Sequence, residues 1–572
     1  MPETTASSTV QSDKAIWCFI LCWTVLNALQ AYTLEVHADE AYYWIYSRLL
    51  DWGYFDHPPM VAVFIRIGYS IFHNEFGLRL LTVLTNSAAI YLLWLMVKAY
   101  SVKAKWFILL VSGVFIFHVY GFTTTPDAPL FIFTVLFYYI YRQYLQNDSP
   151  KLALLLAVII ACLLYSKYHG ILVVGFTLLS NLSLLKRRSF WGIVVVALVL
   201  FIPHIWWQVS HNYPSLSYHL FDRSAKGYNF EQTGTYIPAQ LAMAGPFIGW
   251  FIFYSAFKNR ITDAFIRALL VNAVATFIFF FINTLKGEVQ PHWTLIAFVP
   301  LVMLALIRIS NINKPYIWLS RLAIINIAFI VLLRVSIMFG PDVLKNVGQL
   351  KSYYGFNEWA HLVKQKAGDS YVITNEGFQN PSKYDFYNNT LKGFSYDSRD
   401  YRYTQFDIWP LEDSLQHKRI YYLLQYPLKD VTTDTIKCEA GTWYGGWVDD
   451  ARTYQKITIE TGSKEIAAKQ GQKIQFDLTI TNPYPFAINF TNQGYKHAVA
   501  LEVCTVMGKT IINVQPTDTL FNNIKLNAGQ SARLKVACKC PAEKGDYSLF
   551  FSIRTDPFTG SRNSRQVKLK VE

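Results

Sequence analysis

The sequence predicts a polytopic α-helical membrane protein with an extracytoplasmic α/β region and a C-terminal immunoglobulin-like β-sandwich. Three observations lead there. Only 16% of the 572 residues are charged while 52% are hydrophobic, against about 25% charged in an average soluble domain. The long apolar runs fall within residues 1–340. From residue 451 onward, apolar and polar residues alternate with period two in short runs separated by turn residues, the pattern of half-buried strands.

Eleven runs read as spans: 15–34, 77–97, 106–121, 128–146, 152–165, 169–185, 190–208, 237–256, 264–283, 293–308 and 316–338. A run of about 20 apolar residues crosses a bilayer at 1.5 Å per residue. The first run follows a polar start containing Lys14, and no small-residue cleavage site stands out after it, so it reads as a retained helix. Segment 59–73 begins with prolines and contains Arg66, which suits a helix lying at the interface. The stretch 152–185 is long for one span, and the polar knot YSKYHG (165–170) in its middle argues for two helices and a turn.

Lys and Arg collect in short cytoplasmic loops. With the N-terminus inside, the cytoplasmic connections carry Lys98, Lys103 and Lys105, then Arg142 and Lys151, then Lys186, Arg187 and Arg188, then Lys258 and Arg260, then Arg308 and Lys314. Reading 152–185 as one helix would strand the Lys186–Arg188 cluster outside. This topology places residues 35–76, 122–127, 166–168, 209–236, 284–292 and everything after 340 outside. The expected location is a bacterial inner membrane with the tail in the periplasm. The net charge of +14 then reflects topology signals and anionic headgroups, and nucleic acid is not an expected partner.

Three regions are expected: a transmembrane domain over 1–340, an α/β region over 341–450 and the sandwich over 451–572. The α/β region shows candidate strands at 371–374 and 419–426 and a helix around 381–389. In the sandwich, Ile474, Phe476, Leu478 and Ile480 alternate with polar residues, as do Tyr547, Leu549, Phe551 and Ile553. Cys538 and Cys540 continue the alternation of Leu534 and Val536, so burial in a strand is expected. Nothing in the tail looks catalytic, and a spacer or packing role is expected of it.

Carboxylates beside membrane spans are costly and default to a functional reading. Asp39 and Glu40 open DEAYYW (39–44), Asp127 lies in TTTPDAPL (123–130), and Glu288 lies in KGEVQPHW (286–293). In the predicted topology all three sites face outward. Plain structural readings stand beside the functional ones: Asp39 and Asp127 could each cap a helix, Lys167 could snorkel, and Glu288 could pair with Lys286 or Arg223.

The acidic pair after the first span, the aromatic-rich helix and the DHPP element (56–59) resemble the GT-C glycosyltransferases. More narrowly, they are similar to the protein O-mannosyltransferases and the aminoarabinose transferases that modify lipid A. TPDAPL (125–130), SKYHG (166–170), HNYPSLSYHLFDR (211–223), EVQPHW (288–293), GFQNPSKYDFY (377–387) and TQFDIW (404–409) agree in order. The resemblance covers about residues 15–430 and leaves the sandwich outside. It implies inverting transfer of a sugar from a polyprenyl-phosphate donor to an acceptor hydroxyl on a lipid, protein or glycan.

Such chemistry needs a carboxylate to take the acceptor's proton and cations where phosphate charge develops. By the resemblance Asp39 is the base, Glu40 orients the acceptor or substitutes, and Asp127 positions hydroxyls. His57 stands where some relatives carry a phosphate-binding Lys. Lys167, Arg223 and Lys286 are further phosphate candidates, and Glu288 and His292 complete the pocket. A divalent cation is compatible with the convergent acids, but no ligand spacing decides it. Competing readings are a transferase or polymerase using a lipid diphosphate, which would call for more outer-face cations, and a transporter or flippase of glycolipids. For the latter, charges would line a path near the midplane.

Overall fold

The computed structural model describes residues 3–219, 228–312, 317–340 and 342–572. The chain divides into two compact units, Met1–Tyr354 and Gly355–Glu572.

The first unit is helical: α1 (Glu3–Thr33), α2 (Ala38–Arg48), α3 (Met60–Tyr69), α4 (Glu75–Lys98), α5 (Ala104–Val111), α6 (Phe115–Val119), α7 (Asp127–Gln146) and α8 (Pro150–Ser166) come first. They are followed by α9 (Gly170–Ser180), α10 (Arg188–Ser210), α11 (Pro214–Ser217), α12 (Phe230–Ala244), α13 (Gly249–Phe257), α14 (Ala264–Asn283), α15 (Leu295–Ser310), α16 (Ile317–Phe339) and the short α17 (Asp342–Lys345). Each of the eleven expected spans meets one helix or one helix pair. Among the described residues six helices are long and apolar enough to cross a membrane, and a seventh span arises if the bent pair α12–α13 counts as one. α8 and α9, separated by Lys167–His169, form the expected pair. Segment 59–73 becomes the ten-residue α3, packed against α2 and α4.

Burial separates the layers. α15 is buried along almost its whole length and forms the centre of the bundle, whereas α10 is mostly exposed and turns Trp191, Val195, Leu198 and Ile202 outward. An apolar surface of this kind suits hydrocarbon.

Two expected spans are broken, and one residue mends both. Span 106–121 splits at Ser112–Val114 into α5 and α6, and span 237–256 bends by 93° between α12 and α13. A Cβ on Gly113 would lie 2.5 Å from the Cδ1 tip of Ile248, so the two breaks pack closely, and Gly245 has φ +144, a conformation that favours glycine. Asn326 of α16 donates to Gly113 O at 2.9 Å and accepts from Phe247 N at 2.9 Å. Backbone groups freed within a membrane protein need such partners.

The first unit runs past the expected boundary at 340. Tyr354 donates its hydroxyl to Ile337 O at 2.7 Å, Ser352 accepts from Ala38 N at 3.2 Å, and Tyr353 packs on the His37 ring. These contacts tie residues 342–354 to the membrane unit.

The second unit begins with α18 (Phe356–Ala367) and α19 (Gln379–Asn388) around a five-stranded sheet of β1 (Val372–Asn375), β2 (Gly393–Tyr396), β3 (Lys418–Leu424), β4 (Asp434–Cys438) and β5 (Gly441–Ala451). The order is β2-β1-β3-β5-β4; β1 is parallel to both neighbours and β5 antiparallel to both of its own. The expected strands at 371–374 and 419–426 and the helix around 381–389 therefore appear, shifted by one or two residues.

Ten further strands follow: β6 (Thr458–Glu460), β7 (Glu465–Ala468), β8 (Lys473–Thr481), β9 (Ile488–Asn489), β10 (Val499–Met507), β11 (Thr510–Pro516), β12 (Lys525–Leu526), β13 (Ser531–Lys539), β14 (Gly545–Thr555) and β15 (Val567–Val571). Sheets β11-β10-β14-β15-β7 and β13-β8-β6 share one core, where Phe476 meets Phe551 edge-on at 5.3 Å. Leu534, Val536, Cys538 and Cys540 all enter that core, as the alternation predicts, and none of the seven cysteines is joined in a disulfide.

Candidate functional site

The site is built where helix ends meet, at the C-termini of α1 and α8 and the N-termini of α2, α3 and α7. Its frame is an ion pair. Glu40 and Arg79 are both fully buried, and Arg79 donates Nε to Glu40 Oε1 at 2.8 Å and Nη2 to Oε2 at 2.5 Å. Its remaining donors reach the carbonyls of Ala31 (3.0 Å), Leu34 (2.7 Å) and Glu35 (2.8 Å) at the end of α1. Glu40 also accepts from Thr124 N and His37 N, each at 2.9 Å. Burial opposes ionisation, but the Arg79 charge and these hydrogen bonds outweigh it and hold the Glu40 carboxyl below the usual range. One carboxylate thus locks α1, α2, α4 and the 120–126 loop together. Glu40 was expected beside Asp39 in acceptor orientation, yet its oxygens are engaged by the fold.

Asp39 is different. The cap of α2 is His37, whose Nδ1 accepts from Asp39 N at 3.3 Å, with Glu40 closing the capping box. The capping reading of Asp39 therefore fails: its side chain sits in the first turn, 43% exposed, with His37 Nδ1 at 3.6 Å as its ion-pair neighbour. The capping reading of Asp127 fails too, since α7 follows Pro126 with no side-chain cap. Lys167 Nζ lies 2.9 Å from both Asp127 oxygens, both side chains being almost fully buried. The lysine does not snorkel. His292 Nε2 stands 3.9 Å from the same carboxylate, and its ring lies 6.0 Å from that of Tyr120.

Two phenols join the acids. Tyr43 is buried, and burial first, then the charges of Asp39, Asp56 and Asp127, push its hydroxyl well above its ordinary value. Tyr120 is buried, with its ring beside that of His292. His57 lies 5.8 Å from the Tyr43 ring and 6.0 Å from that of His219, whose Nε2 bonds Asp56 O at 2.8 Å.

A hydrogen-bond chain knits three sequence motifs. Trp207 Nε1 donates to Asp51 at 2.8 Å, and His204 bonds Trp52 O at 2.7 Å and the Tyr168 hydroxyl at 3.0 Å. Gln208 donates to Tyr168 and Ser215, and Ser215 donates to Tyr54 O at 2.7 Å. A Cβ on Gly53 would lie 2.4 Å from the Trp207 ring, so the first loop can dock on α10 only with glycine there.

Of the expected site residues, Asp39, Glu40, Asp127, His57, Lys167 and His292 come together. Lys286 is exposed on the turn after α14, and Glu288 accepts from Gln290 in the same loop. Arg223 lies outside the described residues. Among the described residues no group of three or more His, Cys, Asp or Glu side chains is arranged to hold a metal. Arg79, His37 and His219 were not anticipated. Arg79 had a signal, an arginine within an otherwise apolar span.

Similarity to known proteins fits this geometry. The profile of the dolichyl-phosphate-mannose-protein mannosyltransferase family matches residues 56–207. The lipid A galacturonosyltransferase RgtD of Rhizobium johnstonii is 26% identical over 238 residues, 39% of this chain and 50% of that protein. The chain thus spans about half the length of this curated relative. The crystal structure of ArnT from Cupriavidus metallidurans in the apo state superposes with a TM-score of 0.57 at 13% identity, covering 76% of this chain and 98% of ArnT. ArnT bound to undecaprenyl phosphate gives 0.55 at 13% identity over 75% and 97%. The chain has the GT-C fold of the ArnT type.

Proposed function

We propose that this protein is a membrane glycosyltransferase that moves a sugar, with inversion, from a polyprenyl-phosphate donor to an acceptor hydroxyl. The observation that carries the reading is the contrast between its clustered carboxylates. Glu40 is consumed by Arg79 and Asp127 by Lys167, which leaves Asp39, partly exposed and not a cap, to accept a proton. The acceptor oxygen bonds to the anomeric carbon, the bond from that carbon to the phosphate oxygen breaks, and the acceptor proton passes to Asp39. Asp127, held by Lys167, positions hydroxyls of the sugar or acceptor. His57, with Lys167, Arg223 and Lys286, meets the phosphate whose charge grows. Glu288 and His292 belong to the pocket wall.

The relative RgtD is named for lipid A, and one ArnT structure holds undecaprenyl phosphate; a lipid acceptor and a polyprenyl phosphate donor follow for this chain. The reaction takes place on the extracytoplasmic face of a bacterial inner membrane, with the N-terminus inside. Two experiments test this. Purified protein should transfer radiolabelled sugar from a polyprenyl phosphate to lipid A or a related acceptor; transfer from a nucleotide sugar without lipid phosphate would refute the donor. A cysteine introduced at Ser189 should resist an impermeant thiol reagent applied from outside, and ready labelling would reverse the topology.

A further inference from the structure

The cap of α2 is a histidine, where Ser, Thr, Asp or Asn is usual. An imidazole caps only through an unprotonated ring nitrogen. His37 Nδ1 accepts from Asp39 N at 3.3 Å, so in this state the ring proton sits on Nε2. The same Nδ1 stands 3.6 Å from Asp39 Oδ2. One nitrogen therefore faces both a backbone donor and the carboxylate assigned to the acceptor's proton.

The ring is held in that place. Glu40 Oε2 accepts from His37 N at 2.9 Å, and Ser352 Oγ accepts from Ala38 N at 3.2 Å, which pins the backbone on both sides of the ring. The Tyr353 ring packs on the imidazole with 5.3 Å between centroids. Around it stand Asp39 and Glu40 of α2, Arg79 of α4 behind Glu40, and Tyr353 from the segment after α16. The His37 side chain is 18% exposed, so water can bring it a proton.

Protonation changes what Nδ1 does. Unprotonated, it turns a lone pair toward the carboxylate and makes no hydrogen bond with Oδ2, which leaves Asp39 to the acceptor hydroxyl. A proton taken from water onto Nδ1 ends the cap bond. Nδ1–H then donates to Oδ2 in a charge-assisted bond. A cation so placed favours the ionised carboxylate and makes it a weaker base.

We propose that His37 is a positioning residue for sugar transfer: unprotonated it caps α2 and leaves Asp39 as the base, and protonated it takes the Asp39 carboxylate out of use. The inference rests on the reading of Asp39 as the base. The acid limb of kcat then belongs to an imidazole, a group that titrates close to neutrality, and not to a carboxylate, which titrates at about pH 4.

The test follows kcat across the acid range for the full chain in lipid nanodiscs, with labelled sugar on polyprenyl phosphate as donor. His37→Asn keeps a capping side chain and has no titrating ring. It should melt like the wild type while its acid limb moves down into the carboxylate range. One pH unit below the midpoint of the wild-type limb, the variant should retain about tenfold more of its plateau rate. His57 and His292 remain in both proteins, so only the difference between the two profiles is assigned to His37. Nitrogen-15 NMR of histidine-labelled protein gives a second readout that needs no turnover. The His37 signal, identified by its loss in His37→Asn, should show Nδ1 unprotonated at alkaline pH. It should titrate at lower pH in Asp39→Asn, where the ion-pair partner is gone. An unmoved acid limb in a folded His37→Asn enzyme, or a His37 titration indifferent to Asp39→Asn, would each overturn the proposal. Full turnover by Asp39→Asn is a different failure: it would remove the base itself, and this inference with it.

Discussion

Glu40 and Arg79 face each other from α2 and α4 as a bidentate pair with no exposed side-chain surface, and their remaining hydrogen bonds close the corner between α1 and α2. The corner matters because Asp39 rides on the first turn of α2. Removing one partner of a buried pair strands the other charge, at a cost of ~3–5 kcal/mol. Glu40→Ala and Arg79→Ala should each lower the thermal stability of the membrane unit, and Arg79→Lys should not restore it, since one ammonium cannot serve five acceptor positions in a fork. Thermal unfolding of the purified variants checks this. A stable Glu40→Ala protein that has lost only its activity would return Glu40 to the catalytic group.

The Asp127–Lys167 pair makes a separate prediction, because both residues carry proposed chemistry and both are buried. Lys167→Met removes the lysine countercharge of the buried Asp127 carboxylate, and Asp127→Asn removes the carboxylate countercharge of the buried ammonium; each should destabilise the protein. The double variant carries no stranded charge and should recover much of that stability, a coupling that a double-mutant cycle reads directly. Transfer should stay low in all three proteins. Recovery of transfer together with stability would reduce the pair to scaffold.

Much of this was legible in the sequence for identifiable reasons. Period-two alternation exposed the strands around Phe476 and Phe551, because one sandwich face must be apolar. The parity of Lys and Arg loops predicted that α8 and α9 are separate helices, as they are. The breaks at Gly113 and Gly245 were hidden, because hydropathy averages over a span while a break depends on what approaches the glycine, here Ile248 and Asn326. The roles of neighbouring acids were also hidden. Asp39 and Glu40 look alike in sequence, but a helix turn points one at Arg79 and leaves the other partly exposed. Lys167 followed the same logic: its partner lies 40 residues away, beyond any local pattern.

Asp407 links stability of the second unit to pH. Burial first, then the charge of Asp397, raises its carboxyl well above the ordinary value, so the folded state keeps the proton. Below about pH 4 the unfolded chain is protonated too, and the full contribution is present. As pH rises above that range, the unfolded chain ionises while the fold retains its proton, so stability falls until the folded carboxyl itself titrates. Asp407→Asn keeps a neutral donor toward Asp397 and removes one titrating group. Hydrogen exchange at β2 and residues 404–409, followed from pH 4 to 7, should show a steeper loss of protection in wild type than in the variant. Identical slopes would place the proton elsewhere.

The decisive prediction concerns Asp39. The helix cap belongs to His37 and the box to Glu40, so replacing the Asp39 carboxylate with an amide removes no capping interaction. Asp39→Asn should therefore fold, melt and bind polyprenyl phosphate like the wild type. It lacks only the capacity to take the acceptor's proton, and loss of a general base typically slows turnover by about 10²–10⁴-fold. The drop should appear in kcat, with the KM for donor little changed, because the group acts in the transition state and not in ground-state binding. Asp39→Glu, which keeps the carboxylate but shifts it by one methylene, should recover part of the rate. A well-folded Asp39→Asn enzyme with full turnover would remove Asp39 from the chemistry. The base would then have to be Asp127, with Lys167 leaving it to free a carboxylate oxygen.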